Sequence, residues 1–91
     1  MRLDLFLKLS RIAPRRSVAK SLCEEGIVAV NGAAARASKE VAEGDEITVS
    51  RRDRTLVYRI RSVPPGKQVS KEQSRDLVDL ISDTPADGLI P

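Results

Sequence analysis

The chain has 91 residues, with 16 Lys and Arg against 13 Asp and Glu, no His and one Cys. That length holds one domain with little volume for a catalytic cleft beside its core. The absence of His and the lone Cys23 exclude Cys/His zinc sites, His-based triads and an internal disulfide.

The net charge of +3 is unevenly spread. Residues 1–69 hold 14 basic and 8 acidic residues, whereas residues 70–91 hold 2 and 5. The basic part points to an anionic partner. No apolar run approaches the roughly 18 residues of a membrane span. The stretch from Leu3 to Leu9 carries Asp4 and Lys8, and no small-residue cleavage site follows it, so it does not read as a signal peptide. A cytoplasmic location and no membrane partner are expected.

Asp4 is the expected cap of a first helix running to about Ser10. Leu3 and Leu7, and Leu5 and Leu9, give it a broad apolar face, and Asp4 and Lys8 are spaced as a favourable ion pair. Pro14 suits the first turn of a second helix running to about Glu25, with Gly26 as its stop. Val18, Ala19, Leu22 and Cys23 form its apolar stripe, and Arg16 and Lys20 share a flank away from that stripe. Ile27 to Val30 read as a strand, Asn31-Gly32 as a type I′ hairpin turn and Ala33 to Ala35 as a weak return strand. A loop with Val41 pointing inward leads to a Gly44-Asp45 turn and a strand with Ile47 and Val49. Arg51 to Arg54 is a charged turn. Leu56, Tyr58 and Ile60 alternate with Val57, Arg59 and Arg61 in a half-buried last strand.

The expected class is α+β: two N-terminal helices packed on a small antiparallel sheet, with a short C-terminal tail. The domain spans 1–66 and closes at Pro64-Pro65-Gly66. Residues 67–91 are expected to be an acidic, mostly flexible tail. Leu77, Val78, Leu80 and Ile81 would form one short helix over 74–82, and Pro85 to Pro91 would be disordered. The tail's acidity makes it a candidate competitor for the basic face.

Arg2, Lys8, Arg11, Arg15, Arg16 and Lys20 fall within twenty residues that contain a single acid, Asp4. With acids so sparse on this stretch the cations are not internally paired and can meet several phosphates, and the planar guanidinium binds two phosphate oxygens at once. Arg15 and Arg16 sit at a helix start, where cations oppose the helix dipole and a purely structural choice would favour acids. Arg51, Arg52, Arg54, Arg59 and Arg61 form a second cluster, which reads first as edge-strand protection and second as a wider basic surface. The only aromatics, Phe6 and Tyr58, are too few for a base-stacking platform, so recognition is expected to be of folded RNA shape and backbone. Glu24-Glu25 and Asp45-Glu46 read as surface and turn residues, and Cys23 as a core residue. No Gly-rich phosphate loop, nucleophile–base pair or metal site can be assembled, so no enzymatic activity, cofactor or metal is expected.

Met1-Arg2-Leu3-Asp4, Arg11, Arg15-Arg16, Ala19, Gly26, Val28, Val30-Asn31-Gly32, Ser38, Val41 and Gly44-Asp45 together resemble, in order and spacing, the RNA-binding domain named after ribosomal protein S-four, the α-L motif. The resemblance covers residues 1–50 closely and 51–63 loosely. It implies an L-shaped surface of two helices and a small sheet that grips structured RNA. By resemblance, Arg2, Lys8, Arg11, Arg15, Arg16 and Lys20 lie on that surface. Asp4 orients a neighbouring arginine, and Asn31 and Gly32 support as a turn.

Stand-alone members of that family resemble two groups. The short bacterial RqcP type works with the NEMF-family protein RqcH on obstructed large subunits, where alanine tails are added to stalled chains. The fifteen-kilodalton heat-shock protein binds free large subunits carrying a nascent chain and usually has a longer basic extension. The short acidic ending favours the first. The implied partners are large-subunit rRNA, peptidyl-tRNA and an RqcH-type protein, with the chain itself a monomer. The rival expectations are a general structured-RNA binder or ribosome-assembly factor, a heat-shock-type recycling factor, and a module whose basic face meets an acidic protein.

Overall fold

The computed structural model describes residues 1–85. Leu3, Phe6 and Leu7 follow helical spacing and have no exposed surface. They seat helix α1 (Leu3–Leu9) against helix α2 (Arg16–Glu24) and the sheet. The remaining elements are strands β1 (Val28–Val30), β2 (Ala33–Ala34), β3 (Glu46–Ser50) and β4 (Arg54–Ile60), helix α3 (Lys71–Arg75) and strand β5 (Val78–Pro85). All strands pair antiparallel in one sheet of order β2-β1-β3-β4-β5. Val28, Val30, Ile47 and Val49 point to the helix side and are buried with Ile60 and Ala19. Two N-terminal helices on an antiparallel sheet hold as the α+β architecture.

Both helix ends differ in instructive ways. The residue preceding α1 is Arg2, and Asp4 lies inside the first turn. The N–H groups of Leu3 and Asp4 donate instead to the carbonyls of Lys39 and Ala37, at 2.8 and 3.1 Å. The loop after β2 therefore does the capping. Helix α2 starts at Arg16, because Arg15 is extended (φ −142°, ψ 155°). Pro14 lies before the helix rather than in its first turn. At the other end Gly26 adopts φ +75°, Ile27 N–H donates to the Leu22 carbonyl and Gly26 N–H to that of Cys23. These two bonds make a Schellman motif. Val18 faces outward, so the apolar stripe of α2 narrows to Ala19, Leu22 and Cys23.

The expected hairpin forms. Val30 pairs with Ala33 across Asn31 and Gly32, both at positive φ. Asn31 also reaches the second turn: its Oδ1 accepts from Glu46 N–H at 3.0 Å and its Nδ2 donates to Asp45 Oδ1 at 3.2 Å.

The C-terminal region corrects the sequence reading. Residues 74–82 do not form one helix. A short α3 opens with a Ser70–Gln73 capping box and ends at Asp76, and β5 then pairs with β4 along its whole length. Leu77 is buried, and the Arg61 N–H donates to its carbonyl at 2.8 Å. The sheet thus extends beyond residue 66, and Val78–Pro85 is its edge strand in place of β4. The physical cause is charge and pairing. Asp83 meets Arg54 across the two strands at 2.8 Å, and Asp79 meets Arg61, the residue just past β4, at 3.6 Å. Apart from Pro85, the last residue of β5, the expected disorder over 85–91 lies outside the described residues.

Candidate nucleic-acid interface

Asp4 is the centre of the basic face. Its carboxylate is 2% exposed, yet it accepts hydrogen bonds from two arginines whose side chains are each about half exposed. Arg2 donates through Nε at 3.2 Å and Nη2 at 3.3 Å. Arg16 donates through Nε at 3.3 Å and Nη2 at 3.5 Å. Leu5 N–H adds a bond of 2.8 Å. Burial alone would push the Asp4 carboxyl up. The guanidinium groups of Arg16 and Arg2 and the Leu5 N–H outweigh it and hold the carboxyl below its ordinary value. The result is a fixed anion gripping two cations, with a net positive charge and two oriented guanidinium heads that keep donors toward solvent.

Arg2 and Lys20 line one cleft of about 540 Å³ together with Cys23, Glu24, Arg36 and Ser38. Lys8 and Arg11 line a second, of about 560 Å³, with Pro14, Gln68 and Val69. Arg15 lines neither and stands exposed immediately before α2. The α2 N-terminus carries no side-chain cap and no acid in its first turn, so its free N–H groups add to the positive field. Arg11 has φ 64°, the left-handed position that ends α1 and is more commonly glycine.

Asn31 and Gly32 form the turn that ties β1 to the Gly44-Asp45 corner, away from the arginine pair. Arg36 is a cleft residue that sequence reasoning missed. Its place arises because residues 37–41 pair with the chain start, including an Arg2–Glu40 bridge and a Val41 N–H to Met1 carbonyl bond of 2.9 Å. No local pattern signals that contact. The second arginine cluster divides. Arg54, Arg59 and Arg61 are paired with Asp83, Glu46 and Asp79, so charge pairing across strands replaces the expected edge protection. Burial, with Asp4 and Glu24 nearby, pushes the Cys23 thiol up and leaves it protonated in the core. No His/Cys/Asp/Glu cluster suited to a metal occurs among the described residues, and no helix there is long and apolar enough to cross a membrane.

Residues 1–47 match the S4 domain family. The chain is 39% identical over 85 residues to an RQC P-site tRNA stabilizing factor from Halalkalibacterium halodurans, covering 93% of this chain and 94% of that protein. It is 34% identical over 87 residues to the protein of the same name from Listeria monocytogenes, covering 96% and 92%. A trimeric structure of heat shock protein 15 from Vibrio cholerae superposes with a TM-score of 0.79 at 28% identity, covering 90% of this chain and 82% of that one. The family match takes in the whole of α1, α2, β1 and β2 with the Arg2–Asp4–Arg16 arrangement, and the relatives extend it through β5: the chain belongs to the S4 domain family and, within it, to the RQC P-site tRNA stabilizing factors.

Proposed function

We propose that this protein is a non-enzymatic RNA-binding factor of ribosome-associated quality control. In this reading it binds large-subunit rRNA and peptidyl-tRNA on obstructed ribosomes and steadies one tRNA position while a stalled chain is extended with alanine. Arg2 and Lys20 hold phosphates at the first cleft, Arg16 adds its guanidinium beside Arg2 through their shared Asp4, Lys8 and Arg11 extend the contact along α1, and Arg15 adds a cation beside the open α2 N-terminus. Asp4 orients the arginines and does not touch RNA, since its carboxylate is buried and would repel phosphate. Asn31 and Gly32 support the fold behind the face. The protein acts in the cytoplasm as a monomer beside an RqcH-type partner.

The observation that carries this reading is the Asp4 bridge. A buried carboxylate that fixes two half-exposed guanidinium groups prepays the ordering of both for phosphate binding. The test is a titration of folded RNA at several salt concentrations. With four to six phosphate contacts, log affinity falls against log salt with a slope of roughly −3 to −5. Arg16→Ala lowers affinity and flattens the slope, whereas a salt-independent affinity removes the electrostatic basis of the proposal.

A second reading, large-subunit recycling of the heat-shock type, is favoured by the fold likeness to heat shock protein 15. Binding to free large subunits that carry a nascent chain, unchanged when an RqcH-type partner is absent, supports it over the first.

A further inference from the structure

Two arginines of the second cluster remain outside every ion pair described above. The β3–β4 turn is closed by the Arg51 N–H to Arg54 carbonyl bond of 2.9 Å, and Arg51, Arg52 and Asp53 are all exposed. Among the described residues, neither Arg51 nor Arg52 has an acidic partner within ion-pair distance. Asp53 is the acid of this turn, and Arg54 is neutralised by Asp83. The turn is therefore a cationic tip.

Its position gives it a use. The Arg51 guanidinium reaches the carbonyl of Ile12 at 3.5 Å, which places the tip against the loop between α1 and α2. Arg11 and Arg15 flank that carbonyl in the same loop, and both are exposed. The turn of Arg51 and Arg52 thus touches the loop that carries Arg11 and Arg15, about forty residues away in sequence. The Arg2–Asp4–Arg16 bridge lies at the other end of α1, about 10 Å away along its axis.

We propose that Arg51 and Arg52, with Arg11 and Arg15, form a second phosphate-binding site for the backbone of a folded RNA, separate from the cleft of Arg2, Lys20 and Arg36. This rests on the RNA-binding reading above. The site takes phosphodiester groups, since the guanidinium forks match their oxygens and no aromatic side chain of the tip offers a base platform. Two cationic sites at the two ends of one short helix hold a folded backbone at two places and so fix its orientation, which a single cleft does not.

The test uses the full chain and bulk tRNA, with fluorescence anisotropy at several salt concentrations. Arg52 makes no side-chain hydrogen bond among the described residues, so Arg52→Ala keeps the wild-type melting temperature. It is expected to weaken binding about three- to tenfold near 0.1 M salt and to reduce the log–log slope by about one. Lys71→Ala removes the same charge from α3 and controls for net charge alone, so it leaves the slope unchanged. Arg16→Ala combined with Arg52→Ala loses about the product of the single effects. The proposal is overturned if Arg52→Ala binds as wild type, or no worse than Lys71→Ala, while Arg16→Ala still weakens binding. In that case the RNA-binding reading stands, and the tip serves another partner such as an acidic protein. Wild-type protein that fails to bind tRNA, or binds it without salt dependence, overturns both.

Discussion

Arg16 Nε lies 3.3 Å from Asp4 Oδ2, and this contact joins the first turn of α2 to the first turn of α1 across twelve positions of sequence. Because Asp4 also holds Arg2, one carboxylate sets the direction of both cations. Charge counting and positioning then disagree about Asp4→Asn. Removing an acid from a basic face should strengthen RNA binding if charge alone governs it. Positioning predicts the reverse, a several-fold loss of affinity, because an amide offers one acceptor oxygen and an N–H group that faces the guanidinium donors. The same change costs about 1–3 kcal/mol of stability, since two half-exposed guanidinium groups lose their buried partner. Anisotropy with folded RNA and thermal melting together check both halves.

Acid should act on that same contact. The Asp4 carboxyl is held below its ordinary value of 3.8 in the folded protein. The unfolded chain therefore binds the proton at higher pH than the folded one. The stabilisation from Asp4 is fully present above pH 3.8 and is lost as pH falls through the folded value. Melting of wild type and Asp4→Asn side by side should show a constant gap from neutral pH down to that range and a closing gap below it. A gap that widens in acid contradicts the assignment.

Arg11 pairs stability against the proposed function. A non-glycine residue at φ 64° costs about 1 kcal/mol in the left-handed region. Arg11→Gly is expected to raise the melting temperature while lowering RNA affinity and flattening its salt slope. If affinity is unchanged, Arg11 is not an RNA contact.

Removal of residues 70–91 separates a structural role from a competing one. A loose acidic tail would release the basic face when deleted and raise non-specific affinity. The observed β5 instead covers the β4 edge and supplies Asp79 and Asp83 to Arg61 and Arg54. Truncation is thus expected to lower the melting temperature and to promote association through the exposed β4 edge. Circular dichroism melts and size-exclusion chromatography read both effects. A truncated protein with unchanged melting and raised RNA affinity supports the competing tail.

These contrasts mark what was legible in the sequence. Gly26 and Asn31-Gly32 announce local geometry, and both positions do what their residue types favour. The helical spacing of Leu3 and Leu7 likewise identifies a core face that needs no distant partner to be read. The segment Leu77, Val78, Leu80 and Ile81 fits a short helix or a strand equally well. Its choice is made by β4, through Ile60 opposite Val78 and Tyr58 opposite Leu80, and by acid–arginine pairs distant in sequence. Ser70 and Gln73 did carry a readable capping signal that places a helix start earlier than the apolar residues suggest. At the candidate site, the clustering of arginines near the chain start is visible in sequence. The junction of Arg36 with Arg2 and Lys20, and of Arg51 with Ile12, depends on tertiary pairing and is not.

The most direct test of the proposed function is gradient sedimentation of the tagged protein from cells, wild type beside Arg16→Ala, with each fraction probed for peptidyl-tRNA. The account predicts wild-type protein on large subunits that carry peptidyl-tRNA, and its loss from those fractions in the variant. Wild-type protein at the top of the gradient, or on empty subunits alone, contradicts it.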